Sequence, residues 1–435
     1  MFENIQVKVE GGFDLPFPRM IPVRQYFKTD KINHIPSAVK EQFKRPEATK
    51  QIRAGMKVAV AVGSRGIANL KQITASVISE LVRLGARPFI VPAMGSHGGA
   101  TAEGQQAVLA EYGITEEAMG CPIKASMETV LVGTLPGGIP LYFDKHAYRS
   151  DAVVIINRVK PHTDFKGRVE SGLQKMIVIG LGKHKGASYI HSLGFDRFHD
   201  VIPEAGRALI QAAPIALGVA IIENAYDETC DIQVMPAEEI CAREPILLEQ
   251  AKNIMPRLLV DSIDVLIVDE VGKDVSGSGM DPNITGRTGS GLTQGFDAAP
   301  PIQKIILRDL TAKTHGNAAG FGMADIVTLR LFRKIDFAYT YANCITSTAL
   351  LGAKIPMVLR SDKEALAIAI KTCNRVTPDT VKIVWIRNTL DLQHIYVSES
   401  YRSLLCNRSG IDILGEAEEL LFDEEGNVMN PVFRR

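Results

Sequence analysis

Of the 9 histidines, His97, His162 and His184 sit in loops that follow predicted strands, and His191 follows the last of those loops closely. Imidazole titrates near neutrality, with an unperturbed pKa of about 6.5, and serves both as acid/base and as metal ligand. Loop side chains at strand ends are held by a rigid scaffold, so these positions suit chemistry. Arg65, in Gly63-Ser64-Arg65-Gly66, occupies another such loop and can grip a carboxylate through two parallel N–H donors. The turn Gly180-x-Gly182-x-x-x-Gly186 has its third glycine one position too late for a dinucleotide fingerprint. Its Lys183, His184 and Lys185 suit a phosphate or another anion instead. The glycine-rich loop 273–287 lacks the terminal G-K-[ST] of a phosphate-binding loop. Its length and composition mark a shaped functional loop, and its end cations Lys273 and Arg287 are candidate substrate-binding groups.

Three chemistries are open to these residues. Opposed histidines could shuttle a proton, or His97, His162 and His191 could form the three-histidine zinc site of a hydrolase. Arg65 and the 180–186 turn could also bind a small anion without turnover. No H-E-x-x-H is present, and Gly95-Ser96-His97 is not the G-x-S-x-G elbow of a serine hydrolase.

The elements that must position these residues read as a parallel α/β pattern. Lys57–Val62 (KVAVAV) is an apolar strand, 73–84 has helical spacing closed by Gly85, and 88–91 is the next strand. Thr101 is the N-cap of the following helix. Further strands are expected at 152–156, 176–179 and 216–222. A second block opens near residue 261, with strands at 265–268, 302–307 and 381–386 and helices at 318–332 and 363–371. The expected organisation is two α/β domains with mainly parallel sheets, 1–258 and 259–435, and the active site in the cleft between them.

The 435 residues carry 49 Lys+Arg and 49 Asp+Glu, and so have no basic excess to attract nucleic acid or an anionic membrane. With 46% hydrophobic and 23% charged residues the chain is of ordinary globular composition, and small solutes are the expected partners. The longest uncharged run, between Asp336 and Lys354, is too polar and too short for the roughly 18–20 apolar residues that span a bilayer. The N-terminus has no basic segment followed by an apolar one, and the 6 cysteines form no C-x-x-C pair. A cytoplasmic location is expected.

Taken in order, Arg65, Gly95-Ser96-His97, Pro161-His162, Ser171-Gly172-Leu173-Gln174-Lys175 and His191 resemble the nickel-pincer lactate racemases and their 2-hydroxyacid racemase and epimerase relatives. The resemblance implies a pyridinium mononucleotide with sulfur-containing arms, covalently held by Lys175, with Ser96, Gly172 and Lys183 among its contacts. It implies His191 as a ligand to the nickel ion, His97 and His162 as the acid/base pair, and Arg65 as the anchor of the substrate carboxylate. It also implies cofactor maturation proteins as partners. The chemistry is coherent, because the carbinol C–H of a 2-hydroxyacid is too weakly acidic for simple deprotonation. Hydride removal to an electron-poor cofactor gives a planar 2-ketoacid, to which hydride can return on either face, and each direction needs its own base. The chain departs from the family pattern in three places. The 162–175 stretch is longer and carries Lys166, Arg168 and Glu170; Val62 stands where an acidic residue precedes the arginine; and loop 273–287 occupies the region of a Gln-x-x-Lys segment.

Overall fold

A computed structural model of the chain describes residues 7–63, 66–430 and 433. The chain divides into two compact units, Lys28–Met255, and Met1–Phe27 together with Pro256–Arg435. The break after Met255 lies close to the expected one near 258, but the N-terminal segment joins the second unit rather than the first. Its strand Met20–Gln25 pairs antiparallel with His394–Ser398, with Met20 opposite Ser398, and with Ile411–Ile413. A partner so distant in sequence leaves no mark on local patterning, so the continuous division 1–258 and 259–435 misses it.

Among the described residues, Lys28–Met255 holds a five-stranded sheet in the order Arg87–Pro92, Lys57–Val62, Ala152–Arg158, Ile215–Glu223, Thr229–Pro236. The first four strands run parallel and the last antiparallel. Both faces are covered, which is why these strands read as unbroken apolar runs instead of alternating ones. Val58, Val60 and Val62 pack with Ile73, Val77 and Leu81 of the helix Leu70–Arg83 on one side. Ala59 and Ala61 pack on the other side with the hairpin Thr129–Leu135/Ile139–Asp144 and the helix Phe198–Ala212. Each fully buried Val or Ile contributes roughly 1.5–3 kcal/mol, so a charge at Val60 would break the layer. Thr101 caps the helix Ala102–Glu111 as expected, its hydroxyl accepting the Gly104 N–H at 3.0 Å.

The run 176–179, expected as a strand, is instead a π-helical turn, Met176–Gly180, continuing the short helix Leu173–Lys175. The Leu181 N–H reaches back to the Met176 carbonyl at 2.9 Å. Every residue of the turn is buried, so no polar position betrays the helical period.

The second unit contains, among the described residues, an eight-stranded mixed sheet in which Met357–Leu359, Ile326–Thr328, Ile302–Leu310, Ile263–Val271 and Ile383–Ile386 run parallel. The expected helix 363–371 is Asp362–Thr372. The expected helix 318–332 is broken: the strand Ile326–Thr328 lies inside it, and only Leu329–Arg333 is α-helical. Both units are thus α/β with largely parallel sheets. No helix among the described residues is long and apolar enough to cross a membrane.

Candidate functional site

Parallel sheets place functional loops beyond the carboxyl ends of their strands. Three adjacent strands of Lys28–Met255 do so around one short segment, 172–180. The strand Lys57–Val62 ends at Gly63, where a Cβ would stand 2.7 Å from Cε of Met176. Ser64 and Arg65 follow, and both lie outside the described residues. Further on, the Ala68 N–H donates to Glu223 at 2.7 Å, and Glu223 also pairs with Arg158.

The strand Arg87–Pro92 leads to the turn that carries Ser96 and His97. Gly95 has φ +61° and donates to the Gly180 carbonyl at 3.1 Å. A Cβ there would meet Ile179 and Ala187 at 3.2–3.3 Å, so only glycine lets the turn approach so closely. His97 is exposed and Ser96 half-buried.

The strand Ala152–Arg158 moors the lysine-bearing segment directly. The Asn157 amide donates to the Gly172 carbonyl at 2.7 Å, and Lys160 and Ser171 exchange backbone hydrogen bonds of 2.9 and 3.2 Å. These bonds close residues 161–170 into a loop whose first side chain of interest is His162. Its backbone N–H donates to the buried carboxylate of Glu170 at 2.7 Å. Lys166 approaches the same carboxylate at 3.3 Å, and Lys252 faces its other oxygen at 3.2 Å. The charged residues that lengthen this stretch therefore fix the loop. The Asp164 N–H donates to Nδ1 of His162 at 3.0 Å, and the ring stacks 4.5 Å from Phe165 and 6.3 Å from Phe195.

Lys175, half-buried, ends the helix Leu173–Lys175. Wholly buried Glu244 lies beneath its first turn and accepts the Gln174 N–H at 3.0 Å. Its other oxygen occupies the space a side chain on Gly172 would need, and has no hydrogen-bond partner among the described residues. Burial pushes the Glu244 carboxyl up to about 7. His191 lies on the next helix, Lys183–Ser192, with Nδ1 2.6 Å from the Ala187 carbonyl. A carbonyl only accepts, so Nδ1 carries the proton and Nε2 the lone pair. The ring packs edge-on to Phe195 at 5.7 Å and against Phe198 at 5.3 Å. Phe195 thus contacts both His162 and His191. His184 is exposed and bonds to Ser188 at 3.3 Å.

Some candidates are placed differently. The 180–186 segment is helical rather than an open turn, since Gly180 closes the π-helical turn and Gly182 caps the helix that begins at Lys183. Lys183 is wholly buried, bonded to the Pro92 carbonyl and Gln105 and paired with Asp144, so its ammonium is committed inside the protein rather than to a cofactor. Arg287, in the second unit, is likewise committed to Asp325 at 2.6 Å and to the carbonyls of Met323 and Gln303. Lys273, also in that unit, bonds to the Gly277 carbonyl. No three His, Cys, Asp or Glu residues among those described are grouped to hold a metal ion, so His97, His162 and His191 do not make a zinc cage. Glu170, Glu244, Gln105 and Asp144 are the site's unforeseen supports. Only Glu170 left a sequence signal, as one of the charged residues with Lys166 and Arg168 in the lengthened stretch.

Residues 19–199 match the family model described as the lactate racemase N-terminal domain. Among solved structures, a Thermotoga maritima protein shares 13% identity and a TM-score of 0.51, over 83% of this chain and 97% of its own. That likeness is one of fold. The lactate racemase apoprotein from Thermoanaerobacterium thermosaccharolyticum shares 15% identity and a TM-score of 0.45, over 80% of this chain and 99% of its own. A comparison with curated proteins gives no match.

Proposed function

Because residues 19–199 match the lactate racemase N-terminal domain family, we propose that this protein is a racemase or epimerase of a 2-hydroxyacid, working with a nickel-pincer nucleotide tethered to Lys175. The observation that carries the reading is the convergence of three parallel strand ends on the segment holding Lys175, with His162 and His191 packed on the same Phe195. The residues present fit the group. His191 has its tautomer set by Ala187, which leaves Nε2 as the ligating nitrogen, and imidazole suits nickel. Lys175 sits on a turn fixed by Asn157 and Glu244, as a covalent tether requires. When bound, the cofactor supplies the electron-poor centre that takes hydride from the carbinol carbon and returns it.

The chain's own residues do the rest. His97 and His162, on different strand-end loops, take the hydroxyl proton in one direction each and return it in the other. Arg65 anchors the carboxylate and limits drift of the planar ketoacid while it turns. Ser96, beside His97, and Gly172, on the segment that carries Lys175, are assigned to the cofactor. The test is mass analysis of the Lys175 peptide together with a screen of chiral 2-hydroxyacids, using protein co-expressed with cofactor maturation proteins. A tethered mass increment and interconversion of enantiomers are the expected results; a loaded protein that interconverts none of them would refute the activity.

A further inference from the structure

Lys183 and Asp144 are both wholly buried and face each other at 3.2 Å, in a molecule whose candidate chemistry uses neither. Burying an ion pair is costly, and the arrangement persists only where the remaining polar valences are met. Apart from Oδ2 of Asp144, which faces Lys183 but makes no hydrogen bond among the described residues, they are met here in a particular direction. Asp144 accepts the Ala147 N–H at 2.8 Å, which anchors it in its own short helix after the hairpin. Lys183 donates to the Pro92 carbonyl at the end of the strand Arg87–Pro92, and to Oε1 of Gln105 at 3.2 Å. With its oxygen so engaged, Gln105 has its amide nitrogen directed to the Gly95 carbonyl at 2.9 Å and the His97 carbonyl at 3.3 Å. Lys183 adopts φ +53°, a region disfavoured for a residue with a Cβ, so the backbone is strained in order to place this ammonium. The turn it reaches is itself tightly fitted, because a Cβ on Gly98 would stand 2.6 Å from the backbone nitrogen of Gln105.

We propose that Lys183 is a positioning residue for His97: held by Asp144, it fixes Gln105, which clamps the 95–97 turn to the helix that carries His191. The same lysine opens the helix Lys183–Ser192, so one buried cation sets the turn bearing an acid/base histidine relative to the helix bearing the nickel ligand. The catalytic consequence rests on the proposed racemase reading, whereas the clamp itself does not.

The two can be separated with full-length Gln105→Met and Lys183→Met. Gln105→Met leaves the Lys183–Asp144 pair in place and guards against a Lys183→Met chain that fails to fold. Hydrogen exchange of the Gly95 and His97 amides is followed by mass spectrometry in protein without cofactor, alongside carbethoxylation of His97 relative to exposed His184. Exchange at least about tenfold faster in the 95–97 turn, with amides of Lys57–Val62 unchanged, is the expected result. In cofactor-loaded protein, kcat should fall about 10–100-fold with KM within about threefold, while the Lys175 mass increment is retained. Unchanged exchange in a folded Gln105→Met protein would overturn the clamp. Faster exchange with undiminished kcat would overturn its role in positioning His97. Failure of the racemase reading would leave the exchange result standing and appear only as absent turnover in the parent protein.

Discussion

The buried carboxylate of Glu170 accepts the backbone N–H of His162 at 2.7 Å, while Lys166 and Lys252 flank it at 3.3 and 3.2 Å. His162 is therefore located through its main chain, leaving the ring to be oriented by Asp164, Phe165 and Phe195. Glu170→Ala would leave two ammonium groups facing a cavity. Because both lysines are partly exposed, the main loss is the acceptor of the His162 N–H, and the unit should be destabilised by about 1–3 kcal/mol, as read from urea unfolding. Glu170→Gln keeps an acceptor for the His162 N–H, and should retain the fold while lowering turnover.

His97→Ala and His162→Ala should each keep the Lys175 adduct and lose turnover by about 10²–10⁴-fold, the usual contribution of a positioned acid or base. Assay of each variant from either enantiomer, on protein whose loading has been checked by mass, measures this. Parent-like rates in either variant would remove that histidine from the mechanism.

His191→Ala separates tether from metal. His191 is only half-buried, and its ring is held by the Ala187 carbonyl and by Phe195 and Phe198, so the variant should fold. The expected outcome is an intact adduct on Lys175 with most of the nickel lost on desalting, read by combining mass and metal analysis.

Glu244 gives a pH signature. Its carboxyl is raised to about 7 by burial, so between the unfolded value near 4.5 and about 7 the native state binds the extra proton. The stability this confers is full below about 4.5 and is lost as pH rises through about 7; the span is on the order of 3 kcal/mol. Glu244→Gln keeps an acceptor for the Gln174 N–H and never ionises. Its stability should show a flatter decline between pH 5 and pH 8 than the parent's, by roughly that amount, in parallel denaturation series.

What the sequence made legible follows from where its signals are local. The strands around Val60, Ile90 and Val154 stand out because both sheet faces are covered, and the strand-end loops bearing His97 and His162 follow from them. The His191 helix was not foreseen as such, because the glycines at 180, 182 and 186 read as a turn. Two of them instead permit close packing: a Cβ at Gly180 would press on Ala93, and one at Gly182 on Val178. Lys183 and Arg287 looked like ligand cations because charge in a glycine-rich stretch reads as exposed. Their carboxylate partners, Asp144 and Asp325, are 39 and 38 residues away, and no local pattern joins them. The strand Met20–Gln25 was invisible for the same reason, its partners lying near the other end of the chain.

The most direct test of the central claim is peptide mass and nickel quantitation on the full chain, co-expressed with and without cofactor maturation proteins. The account predicts a mass increment confined to the peptide holding Lys175, with about one nickel per chain, absent without maturation and absent in Lys175→Ala. An unmodified Lys175 peptide in protein prepared beside a lactate racemase that does load would contradict it.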